Sequence, residues 1–320
     1  MKLYQFHNPK ILRKYSFFSI GKGDAYFDNL EQNNDLNARY DASVKVLQAI
    51  LENESGCSAL VLSGSFIELL QANNTQLVKD IKRALSKSRI TLFGSTYNSS
   101  LASIFSIELF NAQVKWHQTL LKNVFDYEPK VFVNTSAIYY DDHANLYKKR
   151  GYEFAVVPYS NWHLNKRPAN QLFLSKDKAI KLILIGNSSC LLNYMRTPML
   201  HSFESSMNDE TNQTSIESIL AQETSEKYLV PQPIVDTQLN KVISLWDNPL
   251  QGSVISKIKL LEQKVLKRED KNLLFQLSVF TSIDYFQSLA DSKDANDMRP
   301  YDYYISIMNI LSDFEIIHQL

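Results

Sequence analysis

The feature that most constrains this chain is a regular alternation of short strand-like and longer helix-like segments over its first two-thirds. Leu36, Tyr40, Val44, Leu47 and Leu51 recur at helical spacing and predict one amphipathic helix. Residues 58–62 read as a short buried strand closed by Ser63 and Gly64. A second helix is expected over 75–86, with Leu77, Val78, Ile81 and Leu85 on one face, and residues 90–93 form the next strand, stopped by Gly94. A long helix follows over 107–124, and after Pro129 the run 130–133 is rich in β-favouring side chains. A short helix over 143–150 ends at Gly151, a residue type suited to the left-handed turn past a helix C-terminus. Residues 153–157 and 179–185 complete the strands. Repeated β-then-α units with right-handed crossovers give parallel strands, hence a doubly wound sheet or a barrel, and pattern alone does not choose between them.

The alternation then stops. Residues 204–226 are dominated by Ser, Asn, Glu and Thr and read as a polar excursion. After Pro231 and Pro233 no convincing strand remains, and helices are expected over 254–267, 272–289 and 303–320. The reading is therefore a β/α domain over 1–235 followed by an all-α subdomain over 236–320.

Charge and composition narrow the functional classes. Lys plus Arg and Asp plus Glu both number 34, so no field draws the chain to nucleic acid or to an anionic membrane. No uncharged apolar run is long enough for a membrane span, and Met1-Lys2-Leu3-Tyr4 opens no secretion signal, so a cytoplasmic location is expected. Cys57 and Cys190 stand far apart in no metal-ligand spacing and read as thiols in a reducing compartment. His7, His143 and His163 lack such spacing too, so no metal and no cofactor is expected. The sequence names no protein partner.

In β/α folds of the barrel type, reacting groups lie at the C-terminal ends of strands. Here those positions carry His7, Ser63 to Ser65, Gly94 to Ser99, Asn134-Thr135-Ser136 and the stretch 187–194. Amides and hydroxyls abound there, and carboxylates are scarce.

These residues also carry a resemblance. Leu3-Tyr4-Gln5-Phe6-His7-Asn8-Pro9 resembles the opening strand of the α-amylases of glycoside hydrolase family 57, which ends in His-Gln-Pro. Phe17-Phe18-Ser19-Ile20-Gly21 with Tyr26-Phe27-Asp28, then Leu62-Ser63-Gly64-Ser65 and Thr96-Tyr97-Asn98-Ser99-Ser100-Leu101, resemble the next motif regions. Glu108, Phe110, Gln113 and His117 keep the spacing of the family's E-F-x-x-Q-x-x-x-H helix. Pro129 to Tyr139 resembles P-K-V-F-R-N-T-E-L-I-Y, the nucleophile strand. Asp247 to Gln251 and Tyr303 to Glu315 are similar to the helical region. The resemblance implies a distorted (β/α)7 barrel followed by a C-terminal helical subdomain, with an α-glucan or another oligosaccharide as the ligand.

The departures are as specific as the matches. The nucleophile glutamate falls on Ser136, the histidine of the family's T-Y-x-H-S-L motif falls on Ser99, and no Asp or Glu occurs between Asp177 and Glu204, where the acid/base aspartate belongs. Ser202-Phe203-Glu204 keeps only the glutamate of the family's D-Y-E. Retaining hydrolysis uses two carboxyl groups about 5–5.5 Å apart. A serine hydroxyl supplies neither the charge nor the leaving group. No catalytic residue is therefore assigned, and His7, Tyr97, Ser99, Trp162 and Glu204 are the expected sugar contacts. Trp116 and Trp246 are weaker stacking candidates. His117 reads as a structural hydrogen-bonding group.

Three readings compete. The first is a family-57-like protein without hydrolytic activity, in a regulatory or scaffolding role. A second is an active hydrolase or 4-α-glucanotransferase with relocated carboxylates, drawing on Glu204 or on Asp141 and Asp142; the plainer reading of that pair is a cap on the helix beginning near His143. A serine triad of Ser136, His7 and Glu204 lacks the G-x-S-x-G elbow. The third is a degenerate barrel serving only as a protein-interaction surface.

Overall fold

The structure, a computed structural model, describes residues 2–52, 58–169, 171–185, 199–202, 220–235, 248–290 and 299–320. The chain forms two compact units. The first comprises Met1–Asn8, Arg39–Asn98 and Val114–Gln238, the second Pro9–Ala38, Ser99–Gln113 and Leu239–Leu320.

The strands lie in the first unit. In chain order its elements are β1 (Lys2–Phe6), most of α1 (Asn34–Glu52), β2 (Ser58–Leu62), α2 (Gly64–Asn73), α3 (Thr75–Ser86) and β3 (Ile90–Leu92). Then come the second half of α4 (Ile107–Phe125), β4 (Val131–Val133), β5 (Ile138–Tyr139), α5 (Asp141–Lys149) and β6 (Phe154–Pro158). The unit ends with α6 (Asn161–Leu164), β7 (Leu172–Leu174), β8 (Lys181–Ile185), β9 (Met199–Ser202) and β10 (Ile234–Val235).

Two four-stranded sheets run in the orders β3-β2-β1-β9 and β4-β6-β8-β7. The central strands are parallel, as the β-then-α repeat requires, whereas β9 and β7 join the outer edges antiparallel. Gly94 joins the two sheets: its N–H donates to Val131 O at 2.8 Å, and its carbonyl accepts from Val133 N at 2.7 Å. Alternate residues of both sheets (Leu3, Ala59, Val61, Phe93, Val131, Val133, Phe154, Val156, Leu172 and Ile183) pack into one buried cluster. That is the period-two pattern of strands sharing one covered face. On the other face, Tyr147 of α5 stacks on Phe132 at 4.4 Å and Tyr152 tilts against the same ring at 5.0 Å. Among the described residues neither sheet closes on itself.

Several boundaries differ from expectation for identifiable reasons. The helix expected at 143 starts at Asp141, because Asp141 N–H and carboxylate are both held by Val230. Helix α2 was hidden by Ser63-Gly64-Ser65, which reads as a strand stop; Ser63 is in fact its N-cap, accepting from Phe66 N. A short strand does follow Pro233: β10 pairs antiparallel with β5.

The second unit is mostly helical, with α7 (Pro249–Leu266), α8 (Lys271–Val279), α9 (Ile283–Ser288) and α10 (Pro300–Ile317). Asn248 caps α7 and Asp270 caps α8 through their side-chain oxygens, as short polar residues at helix starts do. The single helix expected over 272–289 is two. At the break Leu101 N donates to Thr281 O at 2.8 Å and Ile283 N donates to Ser99 O at 2.7 Å, so groups a continuous helix would use internally serve another segment. Lys257 and Lys264 of α7 both bond Glu315 of α10, which holds that carboxyl below its usual range. The segment Pro9–Ala38 is tied to α10 through Tyr15 N to Ser306 Oγ at 3.3 Å and Tyr26 OH to Asp313 Oδ2 at 2.7 Å.

Two glycines give opposite expectations. A Cβ on Gly94 would lie 2.3 Å from the Tyr152 hydroxyl, whereas one on Gly252, within α7, meets nothing within 4 Å. Gly94→Ala is expected to cost about 1–3 kcal/mol by overpacking. Gly252→Ala is expected to gain about 0.5–1 kcal/mol by stiffening a helix. Urea unfolding midpoints of the two variants read both signs.

Candidate functional site

The loops after β1, β2 and β3 are laced together by hydrogen bonds. Ser63 N donates to Phe6 O at 2.9 Å and Ser65 Oγ donates to Asn8 O at 2.6 Å, so His7 is bracketed between two fixed carbonyls. Its own side chain is half-buried. Gly64 N donates to Tyr97 O at 2.7 Å, which adds the loop after β3 to the set.

Tyr97 is committed to packing as well as to that bond. Its ring occupies the space a Cβ on Gly64 would need, with ring carbons 2.4 Å from that position. Its hydroxyl is bonded to Glu68 of α2, and burial followed by that bond pushes its pKa well up. Ser99 belongs to the second unit, where it is buried and its carbonyl takes the Ile283 N–H.

The loop after β4 closes on itself. Ser136 is 0% exposed, and its hydroxyl donates to Asn134 Oδ1 at 2.7 Å while its N–H reaches the same oxygen at 3.2 Å. Asn134 Nδ2 in turn donates to Ile138 O at 2.6 Å. Ala137 takes a left-handed φ of 49° with its N–H on Asn134 O, completing a tight turn. A carboxamide oxygen accepts a hydrogen bond without being able to remove the proton, so nothing in this turn activates Ser136 as a nucleophile.

Trp162 is the opposite case, 87% exposed on the short helix α6. That helix is fixed from beneath. Ser160 N donates to the Tyr228 hydroxyl at 3.0 Å, and Arg167, lying over the Phe173 ring, donates to the carbonyls of His163 and Leu164. Burial raises the Tyr228 pKa to about 12. The indole is therefore presented to solvent on a braced support, suited to stacking.

Asp141 does not offer a free carboxylate. It is buried, and its Oδ1 accepts from Val230 N at 2.8 Å while its own N–H donates back to Val230 O at 2.8 Å. It pins the segment ending in Val230 to the start of α5, beyond the N-terminal role expected for it. Asp142 lies in the first turn of α5, where negative charge suits the helix end. Glu204, Trp246, Cys57, Cys190 and the stretch 187–194 lie outside the described residues.

His117 has the structural role expected of it. A backbone N–H must donate and a carbonyl must accept, so Ser95 N–H at 3.2 Å fixes Nδ1 as the acceptor and Leu62 O at 2.8 Å fixes Nε2–H as the donor. The ring thus staples the end of β2 to the chain just past Gly94. Burial keeps it neutral and lowers its pKa to about 4. No sequence signal marked the links Ser136–Asn134, Tyr97–Glu68 or Asp141–Val230, although Asn134 sits in an Asn-Thr-Ser run that favours such turns.

Among the described residues no three His, Cys, Asp or Glu side chains gather as a metal site. No described helix is long and apolar enough to cross a membrane.

Because His117 binds its proton less well folded than unfolded, its contribution to stability is complete above about pH 6.5 and is lost as pH falls toward about 4. The loss is on the order of 3 kcal/mol. Urea midpoints at pH 7 and pH 4.5 should show the drop, and His117→Gln should flatten it while lowering stability at pH 7.

The model of the family described as Glycosyl hydrolase family 57 matches residues 7–189. A provisionally named alpha-amylase of Methanocaldococcus jannaschii is 28% identical over 124 residues, 38% of this chain and 26% of that protein. Among solved structures, the 4-alpha-glucanotransferase of Thermococcus litoralis matches 50% of this chain and 26% of its own, at 13% identity and a TM-score of 0.43. A branching enzyme from Thermococcus kodakaraensis matches 99% of this chain and 68% of its own, at 6% identity and a TM-score of 0.43. The chain spans about a quarter of the length of the first two of these proteins.

Proposed function

Since the chain belongs to glycosyl hydrolase family 57, we propose that it is a glycoside hydrolase-like protein that binds an α-glucan or another oligosaccharide without hydrolysing it, in a regulatory or scaffolding role in the cytoplasm. The observation that carries this reading is Ser136. At the position resembling the family's nucleophile stands a fully buried hydroxyl whose proton is given to Asn134. Such a group can neither balance an oxocarbenium-like transition state nor leave from a glycosyl intermediate.

With Tyr97 and Ser99 buried in packing and backbone bonds, the sugar contacts fall on Trp162 and His7, with Glu204 as the third. The aromatic face of Trp162 offers stacking, and His7 offers a hydrogen-bonding ring at the end of β1. The common core cluster and the Gly94 seam favour a sheet derived from a distorted (β/α)7 barrel within 1–235. The reading keeps a helical subdomain over 236–320; in its support, the second unit joins Leu239–Leu320 with Pro9–Ala38 and Ser99–Gln113. The active alternative would need a relocated carboxylate. Asp141 is a poor one, because Val230 already occupies it.

Calorimetric titration with maltooligosaccharides and a maltopentaose turnover assay test the proposal together. Binding is expected without turnover, and Trp162→Ala should weaken it about 3–10-fold. Turnover that disappears in Glu204→Gln would sink the non-hydrolytic reading in favour of the active one. Absence of any sugar affinity would leave the interaction-only reading.

A further inference from the structure

Helix α10 is apolar on two sides. One side is buried within the second unit through Tyr303, Ile307, Ile310, Leu311 and Phe314. On another side, Tyr301, Ile305, Met308, Ser312 and Ile316 follow one another at steps of four, three, four and four residues, so they form a single stripe along the helix. Tyr301 is 62% and Ile316 56% exposed, with Ile305 also exposed and Met308 and Ser312 half-buried. No charged residue interrupts the stripe.

Its two borders lie within the same unit. On one side the segment 15–21 is held to α10 by Tyr15 N to Ser306 Oγ, by Asn309 Nδ2 to Tyr15 O at 3.0 Å, and by Gly21 N to Asp313 Oδ1. At the tip of this anchored turn Phe17 and Phe18 are 73% and 78% exposed, with ring centroids 6.1 Å apart. On the other side Lys257 and Lys264 of α7 bond Glu315, and Leu260, between those lysines in sequence, is exposed. Contiguous apolar surface of this kind marks an interaction site rather than ordinary scatter.

We propose that this face is a homodimer interface, in which α10 of one copy packs antiparallel on α10 of a second copy about a two-fold axis near Met308. The stripe is self-complementary in the way a two-fold interface requires, since its large ends, Tyr301 and Ile316, lie at similar distances on either side of Met308. Antiparallel pairing also sets each helix N-terminus beside the other's C-terminus, which their dipoles favour. There the exposed Asp302 of one copy meets the end where Arg268 binds the carbonyls of His318 and Gln319 in the other. Equal numbers of acidic and basic residues (34 each) leave no net repulsion between copies.

Size selects a second folded copy as the occupant. Phe17, Phe18, Leu260, Tyr301, Ile305 and Ile316 together offer on the order of 600 Å² per copy, approaching the ~800 Å² each partner contributes to a standard stable interface. The two phenylalanines lose little freedom on docking, because the turn that bears them is already fixed by Tyr15 and Asp313.

Sedimentation of the intact chain from about 1 to 100 µM tests the proposal. A monomer–dimer equilibrium is expected. The double variant Ile305→Glu/Ile316→Glu should raise its dissociation constant by about 30-fold or more, with an unchanged circular dichroism spectrum. Phe17→Ser/Phe18→Ser should weaken it in the same direction, and Val46→Glu, on α1, should leave it alone. As a readout independent of those losses, Met308→Cys with Cys57 and Cys190 replaced by Ser should be joined across the axis by a short bis-maleimide. A chain that stays monomeric throughout, or a dimer indifferent to these substitutions, overturns the proposal. So does a monomer that co-sediments through Phe17 and Phe18 with phosphatidylserine-containing vesicles, which would make the face a lipid contact.

Discussion

Gly94 joins the two four-stranded sheets through a pair of backbone hydrogen bonds, and it does so at the C-terminal end of β3, where the candidate site begins. With no Cβ, the chain there can lie against the ring and hydroxyl of Tyr152. Continuity across this seam lets side chains from both sheets share one core. It also sets the direction in which strand ends, and therefore the loops, project. His117 reinforces the same place, because its neutral ring bonds Leu62 on one side of the seam's approach and Ser95 on the other.

The polar residues gathered at those strand ends are mostly spent on holding the loops. Ser63 and Ser65 fix the turn around His7, Tyr97 reaches Glu68, Asn134 ties down Ser136, and Asp141 grips Val230. A buried hydroxyl or amide that has found a partner gives stability and order, since leaving it unpaired costs more than the bond itself contributes. A family 57 chain thus carries, in the loop after β4, a serine held by an internal hydrogen bond to Asn134. Trp162, by contrast, faces solvent.

The second unit follows a different logic. Two of its helices, α7 and α8, begin at side-chain caps, and the unit is locked by a few charged or polar bridges, Glu315 with two lysines and Asp313 with Tyr26. The segment carrying Phe17 and Phe18 is part of this unit although it lies near the start of the chain. What it presents is apolar and fixed, unlike the hydroxyl-rich strand ends of the first unit.

The sequence by itself determined the alternating β/α order, the bounds of elements such as β2 and α3, and the family resemblance, because periodicity and motif spacing are local properties of the chain. Only the tertiary structure decided what each site residue does. Asp141 became a tether because Val230, far along the chain, meets its carboxylate; the helix expected over 272–289 broke because Ser99 and Leu101 engage its backbone groups. Ser136 was read as falling at the family's nucleophile position and Tyr97 as a sugar contact; both are buried, with their hydroxyls bonded to Asn134 and Glu68. Burial and hydrogen-bond partnership depend on which distant segments arrive, and no local pattern encodes that.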